Sequence, residues 1–322
     1  MQWEQKGLSR RTIDVLSSAW REGTKKQYNV YFKLWKNFCQ SKKINHWLPD
    51  INNVLEYLSF LLYDKKLSYS AINTARCALS ATLIVDDQGH HTIGSHPIVS
   101  KFMRGVFNMN PPAPRYLEVW DVRVVLNHLR KLAPAGTLSL KQLTHKVVVL
   151  IALISAQRAQ SLQKLRLDNC QIEQGKIVFY VDELIKQSRP GRVGCKLELP
   201  AYPPDRRLCV VTYIKKYIDL TKHVRKEEKA LLISYKKPYK KVTVQTVSRW
   251  IKSTLHAAGI DTQVYKSHST RAAATSTANK LQVPIDDILK VAGWANERTF
   301  RKFYNKPIVS SGKFAHKILH TL

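Results

Sequence analysis

Between residues 108 and 116 the chain reads Asn-Met-Asn-Pro-Pro-Ala-Pro-Arg-Tyr. Pro111, Pro112 and Pro114 each lack an amide donor and fix φ, so no helix or sheet can run through them. Such a stretch is a semi-rigid extended spacer. It therefore predicts two folded pieces, residues 1–107 and 117–322, joined by a linker at 108–116. At 322 residues the chain is long enough for each piece to have its own core.

The first piece reads as helical throughout. Ile13, Leu16 and Trp20 recur at helical spacing, as do Tyr28, Tyr31, Trp35 and Phe38. Thr24 is placed to cap the second of these helices, with Gln27 completing a capping box. Pro49-Asp50 opens a third helix through Val54, Tyr57, Leu58 and Leu61. Ser68 to Leu83 gives a fourth and Ile98 to Phe107 a fifth. The second piece begins with helices over 119–132 and 138–156. Leu162, Leu165 and Leu167 then continue the buried pattern toward a strand. Residues 175–181 and 196–199 read as strands around a basic hairpin, 182–194, turned by Pro190-Gly191. Helices resume over 208–220, 244–257, 268–278, 285–291 and 299–304. The expected class is mainly α with a small β-sheet, a helical bundle followed by a mixed α+β domain.

Lys and Arg number 53 against 23 Asp and Glu, a formal charge of +30. So large an excess repels itself unless an anion is bound, and a nucleic acid is the simplest partner. The five cysteines, Cys39, Cys77, Cys170, Cys195 and Cys209, form no C-x-x-C pair, which fits a reducing compartment and argues against zinc. The first residues lack the apolar core of a signal peptide, so the chain reads as intracellular and not secreted. The most apolar run, residues 147–156, is half a membrane thickness and reads as a buried helix, with no membrane partner.

Three local features carry chemistry. His268-x-x-Arg271 puts two basic side chains on one face at the start of a helix, where anions are favoured. Arg158 emerges from the end of an apolar helix and needs a partner, for which Asp168 is one candidate. Gly293-Trp294 is followed by Thr299-Phe-Arg-Lys-Phe-Tyr304. Each has an ordinary structural reading: a salt bridge, a core aromatic, a half-buried tyrosine.

In their order, with the basic hairpin between the two arginines, these residues resemble the catalytic domain of the tyrosine recombinase (phage integrase) family over about 117–306. The helical first piece resembles, less specifically, the family's SAM-like core-binding domain. The run AGWANERTFRKFYNKP looks most like the recombinases of eukaryotic mobile elements. The resemblance implies that Arg158 and Arg271 are the catalytic arginines and that Lys186 is the strand-turn lysine. It gives His268 the histidine of the HxxR pair, Trp294 the histidine-or-tryptophan position, and Tyr304 the nucleophile. Two departures stand out. Family members commonly carry an acid three residues after the first arginine, where this chain has Ser161. The usual spacing from the Trp294 position falls on Phe303, one residue short of Tyr304.

The implied chemistry is cleavage and rejoining of DNA strands through a 3′-phosphotyrosine. The arginines hold the scissile phosphate through planar donors, and their effect grows as charge develops on its oxygens. Deprotonating an ordinary tyrosine at neutral pH costs about 4 kcal/mol, which neighbouring cations lower. His268 is placed to take that proton, and Lys186 to protonate the departing 5′-oxygen. Arg189 and Lys196 lie in the same hairpin region and are alternatives to Lys186. No cofactor and no metal is called for, since side chains supply the charge. Arg10, Arg11, Arg21, Lys25, Lys26 and Arg189 are candidate contacts to double-stranded DNA, positioning rather than reading it.

In the tail, Phe314, Ile318 and Leu322 form one apolar stripe. The stripe suits either docking on its own domain or exchange with a neighbour in a homo-oligomer, by resemblance a tetramer on paired sites. Integration or excision of a mobile element in a nucleus is the leading expectation. A type IB topoisomerase-like enzyme and a domesticated, catalytically inactive DNA-binding protein are the alternatives.

Overall fold

A computed structural model describes residues 7–83, 92–186, 188, 191 and 194–309. The chain divides into two compact units, Met1–Pro114 and Arg115–Leu322.

The described part of the first unit consists of α1 (Arg10–Ser18), α2 (Glu22–Ser41), α3 (Ile51–Tyr63), α4 (Tyr69–Thr82) and α5 (Pro97–Met109). Asp50 and Ser68 cap α3 and α4 by accepting the amides of Asn53 and Ala71 at 2.7 and 3.4 Å. Each such cap is worth about 1 kcal/mol. Thr24 does not cap α2. That helix begins two residues earlier, at Glu22, with Arg21 as the extended N-cap residue. The negative charge of Glu22 favours this start, because it faces the positive end of the helix dipole. The apolar positions converge as their spacing predicts: Trp35, Tyr57, Leu58, Leu61, Ile72 and Leu79 are fully buried. The polar atoms of the large aromatics find carbonyls, Trp35 Nε1 on His46 and Tyr57 Oη on Tyr31. Helix α5 runs through Asn108 to Met109, so the extended joint begins only at its prolines.

The second unit is built around α7 (Leu140–Ser155), which follows α6 (Val122–Lys131). A complete capping box between Ser139 and Gln142 starts α7, and every residue from Lys146 to Leu153 is buried. Next come α8 (Ala159–Gln163) and the strands β1 (Cys170–Ile172), β2 (Lys176–Val181) and β3 (Cys195–Pro200). They form one antiparallel sheet in the order β1-β2-β3, with Val181 opposite Cys195 and Lys176 opposite Pro200. Leu162 belongs to the short helix α8, not to a run entering a strand. At three residues β1 is too short to announce itself by alternation. The remaining helices are α9 (Val210–Thr221), α10 (Val244–Ala257), α11 (Ser269–Lys280), α12 (Ile285–Ala292) and α13 (Glu297–Phe303). After α13 the chain returns to pair with Val119, whose amide donates to Pro307 at 2.8 Å and whose carbonyl accepts from Val309 at 2.7 Å. Arg189 and the tail stripe of Phe314, Ile318 and Leu322 lie outside the described residues. Among the described residues no helix is long and apolar enough to cross a membrane, and all five cysteines are free thiols.

Candidate active site

The site assembles where the ends of α7 and α12 meet the start of α11. Helix α7 stops at Ser155 because Ala156 adopts a left-handed conformation (φ 47°, ψ 26°), which costs an alanine about 1 kcal/mol. Two bonds, one buried and one part-buried, hold that turn. The Ala156 carbonyl accepts from Arg271 Nη1 at 2.6 Å, and Gln157 Nε2 donates to the Val291 carbonyl at 2.7 Å. The turn leaves Arg158 extended as the N-cap of α8. Its Nη1 is buried with no hydrogen-bond partner. Asp168 is not that partner: Arg166 occupies both of its carboxylate oxygens, at 2.8 and 2.5 Å. The pair is only two positions apart, so it forms with little ordering of the chain. Ser161, where the family commonly has an acid, is buried, and its amide donates to the Arg158 carbonyl at 2.8 Å.

Arg271 projects from the first turn of α11 and is 1% exposed. Besides the bond to Ala156, its Nη2 donates to the Ala292 carbonyl at 2.7 Å, so one guanidinium ties the ends of α7 and α12 together. Its Nε is buried and unpaired. The guanidinium carbon lies 4.4 Å from the centre of the Trp294 ring and 5.3 Å from that of Tyr304. Burial, and then the charge of Arg158, push the Arg271 pKa down to about 10.

Gly293 ends α12 in the left-handed region (φ 69°), which turns Trp294 back onto the site. Trp294 is buried against Tyr304, with ring centres 4.5 Å apart, and its indole Nε1 is unpaired. The one-residue shift in tyrosine spacing is absorbed at the end of α13. Phe303 is the last helical residue and is 56% exposed, whereas Tyr304 leaves the helix (φ −123°, ψ −27°) and turns inward. The Tyr304 hydroxyl lies 3.0 Å from His268 Nε2. Its backbone is fixed from α11, since Ser276 Oγ donates to the Tyr304 carbonyl at 2.7 Å and accepts from the Lys306 amide at 3.0 Å.

His268 has its pKa pushed down to about 4, first by desolvation of the ring and then by the charges of Arg271, Arg158 and Lys186. All three charges are positive, and the imidazole is neutral at pH 7, so Nε2 can accept a proton from the tyrosine. Lys186 is exposed, and its charge reaches His268. It follows the buried Ile185 in a turn closed by two bonds to Ser188, at 2.9 and 3.0 Å. Of the candidate DNA contacts, Arg10, Arg11, Arg21 and Lys26 are exposed at the starts of α1 and α2, and Lys25 pairs with Glu22 at 3.4 Å. The supporting groups Gln157 and Ser276 carry no signal in the sequence, because their partners are backbone carbonyls brought near only by the fold.

Residues 121–308, more than half of the chain, match the description of the Phage integrase family. The chain belongs to the phage integrase family. No curated protein matches it. Among solved structures, the XerH site-specific recombinase in a post-cleavage complex with palindromic difH substrate is similar at a TM-score of 0.54 and 12% identity. That match covers 85% of this chain and 71% of that one. A lambda integrase (75–356) dimer bound to a COC′ core site is similar at 0.54 and 15% identity, covering 91% and 93%. The Tn1549 transposon integrase in complex with transposon right end DNA is similar at 0.51 and 14% identity, covering 85% of each chain. At these identities the likeness is one of fold: mostly helical, with a small three-stranded antiparallel sheet.

Proposed function

We propose that this phage integrase family member cleaves and rejoins duplex DNA at specific sites through a covalent bond between Tyr304 and a 3′-phosphate, without a metal. One observation carries the reading. Arg158 Nη1, Arg271 Nε and Trp294 Nε1 are three buried donors without partners around a tyrosine hydroxyl bonded to a neutral histidine. Unpaired buried donors are unfavourable unless a ligand satisfies them, and three donors of one polarity suit the oxygens of a phosphodiester. Tyr304 attacks the phosphorus in line while His268 takes its proton. Arg158, Arg271 and Trp294 bind the non-bridging oxygens, and Lys186 protonates the departing 5′-oxygen. The covalent bond conserves the phosphodiester energy, so an incoming 5′-hydroxyl reverses the reaction with no other energy source.

Residues 1–107 act as the core-binding domain, with Arg10, Arg11, Arg21, Lys25 and Lys26 on phosphates. The whole works as a homo-oligomer, a tetramer on paired sites, with exchange of the tail. The biological role is integration or excision of a mobile element, which puts a eukaryotic protein of this kind in the nucleus. The test is a duplex nicked beside the cleavage site, incubated with protein in a chelator. The wild type becomes covalently joined to DNA and Tyr304→Phe does not; an adduct that persists in Tyr304→Phe, or one that requires a divalent ion, rejects the mechanism.

A further inference from the structure

The turn that carries Lys186 is fastened to the helix that carries Arg158 by one carboxylate. Glu183 lies between β2 and Ile185, three residues before Lys186. Its Oε2 accepts from Lys164 Nζ at 2.6 Å, and its Oε1 lies 3.7 Å from Lys241 Nζ. Lys164 is the C-cap residue of α8, whose N-cap is Arg158. The Lys164 side chain is only 15% exposed, so this end of the pair is shielded from water and from salt. The bond to Lys164 is the main reason the Glu183 carboxyl sits below its ordinary range. With Ser161 in the place of an acid, α8 itself supplies no carboxylate here. The carboxylate that reaches α8 comes instead from the hairpin.

We propose that Glu183 is a positioning residue for strand cleavage: its bond to Lys164 fixes the reach of Lys186 Nζ toward the departing 5′-oxygen. This rests on the reading above, in which Lys186 is the general acid. A lysine side chain is long and Lys186 itself is exposed, so the base of the turn must be held if the ammonium is to meet one oxygen. A displacement of about 1 Å from the reacting geometry can slow a reaction about 100-fold. The opposing possibility is that Glu183 only neutralises the half-buried Lys164 and supports the fold.

The leaving group separates the two. As the bond from Tyr304 Oη to phosphorus forms, the bond from phosphorus to the 5′-oxygen breaks, and that alkoxide takes a proton from Lys186. If sulfur replaces the 5′-oxygen, the departing thiolate is a far weaker base and leaves without that proton. The experiment measures covalent adduct formation by the full chain on nicked duplexes with 5′-oxygen or 5′-sulfur at the scissile position. The wild type, Tyr304→Phe, Lys186→Ala, Glu183→Gln and Glu183→Asp are compared.

We expect Glu183→Gln to react about 10- to 100-fold more slowly than wild type on oxygen and within about threefold of it on sulfur. Glu183→Asp, which keeps the charge and serves if the glutamine variant fails to fold, should be slowed less and rescued likewise. A Glu183 variant that stays slow on sulfur, or one that matches wild type on oxygen, overturns the proposal. A Lys186→Ala variant that sulfur does not rescue, or a Tyr304→Phe adduct, instead overturns the reading on which it rests.

Discussion

Tyr304 and Phe303 are neighbours with opposite surroundings, and that contrast decides which of them can do chemistry. Phe303 faces solvent at the end of α13, while Tyr304 packs on Trp294 and meets His268. Moving the hydroxyl one residue back should therefore not move the reaction. The double variant Phe303→Tyr with Tyr304→Phe is expected to form no covalent adduct on nicked DNA, and an adduct at position 303 would contradict the geometry. Arg271 is a second case in which contact matters more than charge. Its guanidinium donates to two carbonyls from a buried position, which one ammonium cannot do in the same plane. Arg271→Lys should unfold about 2–4 kcal/mol more easily in urea, from the loss of charge-assisted bonds, and should lose adduct formation as well. Residue type and order single out Arg158, His268, Arg271, Trp294 and Tyr304 in the sequence, and the structure brings these side chains near one another. The partner of Arg158 was not legible there, because Asp168 is claimed by Arg166 through a two-residue contact that spacing alone does not reveal. Nor was the left-handed Ala156, since alanine gives no hint of a turn and the bonds that hold it come from residues over a hundred positions away.

Helix α11 positions three parts of the site at once. Its N-cap residue is His268, its first turn carries Arg271, and Ser276 on its middle turn grips the backbone on both sides of Asn305. Removing that grip should loosen the tyrosine without touching it. Ser276→Ala is expected to slow adduct formation about 10-fold, by less than the 100-fold that a full ångström of misplacement can bring, while DNA affinity in a binding assay stays unchanged. A parallel loss of affinity would mean that the serine acts elsewhere. The longer helices were legible from apolar periodicity, and Ser139 with Gln142 marks the start of α7. The elements that escaped are those whose cause lies in tertiary contacts. The five-residue helix α8 exists because α7 must turn at Ala156, and β1 because a three-residue edge can pair with β2. The start of α2 escaped for an electrostatic reason, a glutamate preferred in the first turn over a threonine cap two residues later.

At the scale of the molecule, charge and burial act together on stability. The formal charge of +30 makes self-repulsion grow as histidines protonate, yet burial holds His46, His128, His145 and His268 below the ordinary range in the folded state, the last two furthest. His268 and His145 are both held down to about 4 by desolvation reinforced by nearby cations, against an ordinary value of 6.5. Between pH 6.5 and 4 the unfolded chain therefore binds more protons than the folded one, and stability rises with pH across that window. Above pH 6.5 the stability is intact, and it is lost progressively as the pH falls toward 4. Lys146, pushed down to about 7 by burial, is charged in both states well below that value and adds a loss of the same sign only as the pH falls through about 7. The urea midpoint should thus be lower at pH 5 than at pH 7. His145 lies outside the candidate site, packed against Tyr235 and Trp250 with a buried and unpaired Nε2. His145→Phe preserves an aromatic ring there and removes the titration, so its midpoint should change less between the two pH values than that of the wild type. Identical pH dependence in the two proteins would show that His145 does not couple folding to protonation, and would leave the loss to the other lowered groups, His46, His128, Lys146 and His268, and to general repulsion.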